Sequence, residues 1–286
     1  MSIVIPVWRD SVALGELLAT LPDRDLVEVI VAHAGADATL DEVRAAFGGI
    51  RWADCAVGRG VQLNRGAALA RGRWILFLHA DSRLPAAWRD EIDAVEREGL
   101  AVAGCFRFQL DSRAPAARLI ERGVAWRVRW LRLPYGDQAL FVRRDVFEAL
   151  GGFRPYPVME DVDLVRRLGR RGRLWVSAVP VTVSPRRWER DGWLRRSAAN
   201  LGLLTLFLCG VSPHRLARWY YRQPEWRQDA RSDDRAGRRA VRWRAGPLDD
   251  TKPADEASYP SAGPTCRGHQ ADAIPSGRFK QRGDRC

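Results

Sequence analysis

Four groups of residues have the types and spacing to do chemistry. Asp81 closes an apolar run, Trp74-Ile75-Leu76-Phe77-Leu78-His79-Ala80-Asp81, bounded by Gly72 and Pro85. That run is too short to span a membrane and reads as a buried parallel strand. The carboxyl end of such a strand is where open α/β sheets bind ligands. A buried carboxylate is costly unless it is paired or binds a metal; the plain alternative is a turn or cap, which Asp81-Ser82-Arg83-Leu84-Pro85 would also serve. Glu160-Asp161 opens a helical pattern with Val162, Leu164, Val165 and Leu168 on its apolar face, although acids in a first turn also simply favour the helix dipole. Arg186-Arg187-Trp188 can set a guanidinium on a phosphate or form a solvated basic turn. The stretch from Gly58 to Gly66 looks like a phosphate loop, but G-x-G with no strand directly ahead is weak evidence. A tight turn leading into a packed helix fits it equally.

The elements that must position these groups alternate from the start. Residues 3–7 predict a strand, followed by a helix capped at Asp10 or Ser11 with Leu14, Leu17, Leu18 and Leu21 on one face and Pro22 at its end. A second strand is predicted over 27–32, then a helix from Thr39 or Asp41 with Val43 and Phe47 inward. A small-residue helix follows over 62–71, then the Asp81 strand. Such alternation with short links predicts a parallel sheet with right-handed crossovers. Further on, Trp88, Ile92 and Val95 mark a helix, 101–110 a strand, 115–130 a helix and 139–142 a short strand. The remaining pattern predicts a helix over 162–168 and a strand over 174–183 broken at Pro180.

Residues 197–211 are almost wholly apolar but fall short of the roughly 20 residues a bilayer needs. A packed helix or a peripheral membrane contact at the inner face fits better than a span. Beyond residue 222 only Val241, Leu248, Ile274 and Phe279 represent Leu, Ile, Val and Phe, so 223–286 is expected to be a disordered tail of mixed charge.

Composition narrows the function. The 286 residues are 46% hydrophobic, ample for a core, with a formal net charge of +12. Only Lys252 and Lys280 are lysines; the arginine bias suits bidentate phosphate or carboxylate binding, and GC-rich coding also produces it. A basic surface fits anionic partners, namely nucleotide-sugars, acidic lipids or nucleic acid. Nucleic acid is not expected as a partner, because the chain has no aromatic-basic RNA signature or zinc module and its arginines are dispersed. Five scattered cysteines, Cys55, Cys105, Cys209, Cys266 and Cys286, suggest neither a disulfide framework nor a zinc site. Met1 leads straight into a strand with no room for a signal peptide, so a cytoplasmic location is expected.

The motifs occur in one order: Ser2-Ile3-Val4-Ile5-Pro6-Val7, the Gly58–Gly66 stretch, Leu78-His79-Ala80-Asp81, Leu133-Pro134-Tyr135-Gly136-Asp137-Gln138, Gly151-Gly152-Phe153, Met159-Glu160-Asp161-Val162 and Arg186-Arg187-Trp188. This set resembles the family 2 glycosyltransferases of the GT-A fold, and within them a bacterial subgroup found near radical-SAM and selenium-related genes. The resemblance covers about residues 1–222. It implies an α/β, Rossmann-like fold with a mostly parallel central sheet flanked by helices and a C-terminal apolar helix. A nucleotide-binding part would occupy 1–110 and an acceptor part 111–222. The implied activity is metal-dependent, inverting, hexosyltransferase-type transfer from a nucleotide-sugar donor, a UDP-sugar on family grounds, to an unidentified hydroxyl acceptor such as a lipid or small metabolite.

By the same resemblance Asp81 holds Mn2+ or Mg2+ against the diphosphate, and Asp161 deprotonates the acceptor with Glu160 as its neighbour. Pro6, Val7, Asp10, His33, Arg59, Asn64, His79 and Ala80 contact the nucleotide or donor. Asp137, Gln138, Arg187 and Trp188 face donor sugar, diphosphate or acceptor, and Gly66, Ala67 and Ala68 allow close helix packing. The chain departs from the family in three places. His79 replaces the first Asp of the metal motif, His33 falls where an Asp reads the base, and Arg9-Asp10 replaces Asn-Glu. GDP therefore stays open as the nucleotide. A nucleotidyltransferase and a non-catalytic nucleotide-sugar-binding protein are the competing readings.

Overall fold

Alternation along the first strand decides the layers. In β1 (Ser2–Trp8) Ile3, Ile5 and Val7 turn to one face and Val4 to the other, and all four are buried. The first set packs with Leu14, Leu17 and Leu18 of α1 (Ser11–Thr20) and with Trp88, Ile92 and Val95 of α4 (Trp88–Glu98). Val4 packs with Leu63 and Ala67 of α3 (Arg59–Leu69) and with Val162, Leu164 and Val165 of α7 (Glu160–Gly169). A strand buried on both faces must be apolar throughout, which is why it reads as a continuous run.

The computed structural model describes residues 1–23, 26–35, 39–99 and 101–221; the tail expected at 223–286 lies outside them. Among the described residues eight strands form one sheet in the order β3-β2-β1-β4-β7-β6-β8-β5. β2 (Glu28–Ala34), β3 (Arg51–Asp54) and β4 (Trp74–Phe77) run parallel with β1, pairing Val7 with His33 and Val4 with Phe77. Beyond β4 the sheet is mixed. β7 (Phe141–Arg143) is antiparallel to both β4 and β6 (Ala101–Leu110), and β8 (Arg173–Val183) is parallel to β6. β5 (Ser82–Arg83) turns back antiparallel onto β8.

Several sequence expectations shift. β4 stops at Phe77, so Asp81 stands in the turn beyond the strand. Helix α3 begins at Arg59, three residues before the predicted start, so the glycine stretch is a helix entry with Gly58 at φ 143° rather than a free loop. Pro180 does not break β8; it sits where the register with β6 slips between Cys105 and Arg107, and a bulge absorbs the missing N–H. The apolar run at 197–211 lies largely in α9 (Trp193–Leu208), whose Leu203 and Leu204 are core. No helix among the described residues is long and apolar enough to cross a membrane. Strand β3 and the helices α2 (Leu40–Ala46), α5 (Pro115–Leu131), α6 (Arg144–Ala149), α8 (Arg186–Asp191) and α10 (Pro213–Tyr220) complete the described chain. Of these, β3, α6, α8 and α10 are too short to leave a periodic signal.

Candidate active site

The parallel strands point their carboxyl ends to one rim, and β1 lies between neighbours reached by crossovers in opposite directions. That is the switch point at which open α/β sheets form a crevice. A cavity of about 190 Å³ opens there, lined by Pro6, Val7, Trp8, Asp10, Arg59, Gln62, His79, Ala80, Asp81, Arg186 and Arg187. It is smaller than the roughly 300–1,000 Å³ of pockets for drug-sized ligands, so it accommodates one part of a larger molecule.

Asp81 reaches this cavity through a local fold-back. The chain leaves β4, turns at residues 80–81 and pairs as β5 with Thr182 and Val183, and Ser184 N–H donates to the Asp81 carbonyl at 3.0 Å. The end of β8 then delivers α8, whose Arg187 and Arg186 lie 3.4 and 3.6 Å from Asp81 Oδ2. Arg186 also grips Asp10 across 176 residues of sequence, fastening α8 to the end of β1. Burial pushes the Asp81 carboxyl up, but Arg187, His79 and Arg186 outweigh it and hold the group below the usual carboxylate range. Asp81 is therefore an anion beside two cations. Next to it, burial and then the Arg59 charge lower His79 to about 4, which leaves the imidazole neutral near pH 7.

Arg59 links this cavity to a second pair of acids. Its Nε donates to Glu160 and its second guanidinium nitrogen lies 3.2 Å from Asp161 Oδ2. Glu160 is only 1% exposed, and its Oε2 has no hydrogen-bond partner among the described residues. Burial raises its carboxyl against the pull of Arg59. Asp161 is treated differently. Its Oδ2 accepts the Gly136 N–H at 2.8 Å and its Oδ1 accepts the Val162 N–H at 2.8 Å. Burial opposes ionisation, but Arg59, those two N–H groups and His79 prevail and hold its pKa down. A Cβ at Gly136 would stand 3.1 Å from His79 Nε2 and 3.2 Å from Asp161 Oδ2, so a side chain there would crowd both the imidazole and the carboxylate.

Asp137 follows in a single 3-10 turn, Gly136–Gln138. Its Oδ1 is buried without a partner among the described residues, and burial, reinforced by Asp161, pushes its carboxyl up to about 6. Arg127 of α5 secures this turn from behind. It donates to the Leu133 carbonyl at 2.9 Å and stacks 3.4 Å from the centre of the Tyr135 ring.

Pro6, Val7, Asp10, Arg59, His79, Ala80, Asp81 and Arg187 thus gather at one cavity, with Glu160 and Asp161 joined to it through Arg59. Four expected site residues are used elsewhere. His33 is held by Arg44 and Asp54 beside Trp52, where β2 faces α2. Asn64 bridges both backbone groups of Phe153, at 2.8 and 2.9 Å. Gln138 donates to the Phe106 carbonyl and accepts the Tyr135 N–H. Trp188 packs with Phe108 and Val183, its indole N–H donating to Ser197 at 3.3 Å. Gln62 went unremarked in the sequence. It is buried and donates to the carbonyls of Val7 and Ala32, tying the ends of β1 and β2; a lone amide on the small-residue face of α3 was the available signal.

Among the described residues no three His, Cys, Asp or Glu side chains converge as a metal-binding group. The ionised Asp81 is a hard oxygen donor, and it suits a divalent ion whose other ligands are substrate oxygens and water.

The family model described as Glycosyl transferase family 2 matches residues 2–159. Among solved structures, the chain is similar to S. aureus TarS 1-349 in complex with UDP-GlcNAc, at 15% identity and TM-score 0.50, covering 64% of this chain and 58% of that one. S. aureus TarS 1-349 without ligand gives 14% and 0.50 over 82% and 72% of the two chains. The mannosyltransferase PcManGT from Pyrobaculum calidifontis, in complex with GDP-Man and Mn2+, is 18% identical over 63% of this chain and 55% of that one, at TM-score 0.49. At 14–15% identity the likeness to TarS is one of fold. No protein of curated function matches.

Proposed function

We propose that this chain, which belongs to glycosyl transferase family 2, transfers a sugar with inversion from a UDP-sugar to an acceptor hydroxyl, within the radical-SAM-associated subgroup its motifs resemble. The observation that carries this reading is the coupling of two acids at one crevice: Asp81 among arginines in the cavity, and Asp161 on the far side of Arg59. In an inverting step the acceptor oxygen bonds to the anomeric carbon as the bond to the diphosphate breaks, and the hydroxyl proton passes to a base. Asp161, held ionised by Arg59 and two N–H groups, is available to take that proton. Arg186 and Arg187 line the cavity and can turn from Asp81 to the phosphate oxygens, meeting the charge that develops on the leaving group. Mn2+ or Mg2+ would be held by Asp81 and would neutralise the same diphosphate. Residues 1–110 would bind the donor, 111–222 would present the acceptor, and the location would be cytoplasmic.

Transfer and donor hydrolysis measured across UDP- and GDP-sugars with Mn2+ test this. Asp161→Asn should lower kcat by about 10²–10⁴-fold with donor binding kept. An unchanged kcat in that variant would remove Asp161 from the role, and absence of turnover on every donor despite tight UDP binding would leave a binding protein.

A further inference from the structure

The solvent side of α5 carries two parallel rows. Leu119, Trp126 and Trp130 recur at i, i+7 and i+11, and Arg118, Arg122 and Arg129 recur at i, i+4 and i+11, about a quarter turn away on a helix of 3.6 residues per turn. The opposite side is spent on the fold: Ala117 and Val128 are buried, and Ile120 and Val124 pack against the Phe108 cluster. Trp126 remains 59% exposed and Trp130 65% exposed, a large apolar outlay for one exposed helix. α9 packs beside α5 and repeats the pattern. Leu194, Leu201 and Leu208 lie seven residues apart on its outer side, with Leu194 75% and Leu201 64% exposed.

We propose that this face docks the protein on an anionic lipid bilayer, with the α5 tryptophans seated at the headgroup boundary, Arg122 and Arg129 on lipid phosphates and the α9 leucines extending the contact, Arg118 being held by Glu121 and the carbonyls of Leu110 and Ser112. Charge selects this occupant. A second copy meeting the same face would oppose arginine rows of like sign, whereas an anionic surface complements them. Tryptophan beside arginine is also the composition that suits the boundary between water and hydrocarbon. The inner side of α5 carries Arg127, which secures the Tyr135–Gln138 turn against Asp161. The docking inference stands apart from the transferase reading, because binding is measured without a donor.

Full-length protein should sediment with vesicles of phosphatidylglycerol and phosphatidylcholine, far less with phosphatidylcholine alone, and less again in high salt. Trp126→Ser with Trp130→Ser, and separately Arg122→Glu with Arg129→Glu, should each weaken binding by about tenfold or more. Donor hydrolysis and melting temperature should stay as in the wild type. If the tryptophan pair proves unstable, the exposed arginine pair still decides the matter. Failure of the wild type to bind anionic vesicles would overturn the proposal, as would binding indifferent to both double variants. A solution dimer that Trp126→Ser with Trp130→Ser dissolves, without vesicle binding, would assign the face to a second copy instead.

Discussion

Arg59 is the residue on which two buried acids depend. Its removal would strand Glu160, which has one oxygen unpartnered already. Arg59→Met should therefore destabilise the protein, by less than the about 3–5 kcal/mol of a fully buried ion pair because the Arg59 side chain is 38% exposed. Adding Glu160→Gln should recover much of it, which urea unfolding of the four proteins in the cycle would show; a cycle with no coupling would contradict the pairing. Asp137 tests the opposite situation, an acid without a rescuing cation at its orphan oxygen. Its folded pKa, about 6 against 3.8 for the free group, is raised. Its stabilising contribution is thus complete below pH 3.8 and is lost as pH rises through 6. That difference corresponds to about 3 kcal/mol. Asp137→Asn should be nearly neutral at pH 4 and stabilising by up to that amount at pH 7.5; a gap that does not widen with pH would refute the buried-acid account. Residue identity alone left Asp81, Glu160 and Asp161 open to a plain turn, cap or helix-dipole reading; the ordered set of motifs around them is what raised them to site candidates. It did not show that Asn64 and Gln138 bridge backbone groups, since an amide near a motif looks the same whether its partner is a ligand or a backbone carbonyl.

At the scale of elements, small residues decide how close the helices come to the sheet. A Cβ at Gly66 would overlap Val4 Cγ1, where α3 crosses β1. Gly66→Ala should cost about 1–3 kcal/mol by overpacking, and Val4→Ala in the same chain should return part of it. Full additivity of the two losses would count against that contact. Elements with long, one-sided or two-sided burial were legible: β6 and α5 begin where the patterns predict, because ten or more residues repeat one period. Turns that build the site were not. Asp81 meets Arg186 and Arg187 only because β5 folds back on β8 and α8 follows, a juxtaposition of residues more than a hundred apart that no local pattern encodes. The parallel half of the sheet, apart from the four-residue β3, followed from strand-helix alternation, whereas the insertion of β7 between β4 and β6 depends on non-local pairing.

At the scale of the whole molecule, the crevice joins the start of the chain to its later part through Asp10, Asp81, Arg186 and Arg187, so a ligand there should stabilise the unit as one. UDP with Mn2+ at about a hundred times its Kd would add about 2.7 kcal/mol, which for a domain of this size raises Tm by roughly 5–10 °C. Asp81 makes the outcome asymmetric. Its carboxylate lies beside Arg187 and, at longer range, Arg186, the guanidinium groups that a diphosphate would need on the proposed reading. Asp81→Ala would release Arg187 and leave Arg186 on Asp10, so UDP alone should raise Tm at least as much as in the wild type, while Mn2+ should add nothing further. The wild type should show the reverse, a small shift with UDP and a large one once the ion is added. Thermal melts of both proteins, with and without Mn2+, measure this directly. An ion effect that survives in Asp81→Ala would place the divalent site on other residues and leave Asp81 as a partner of arginine alone.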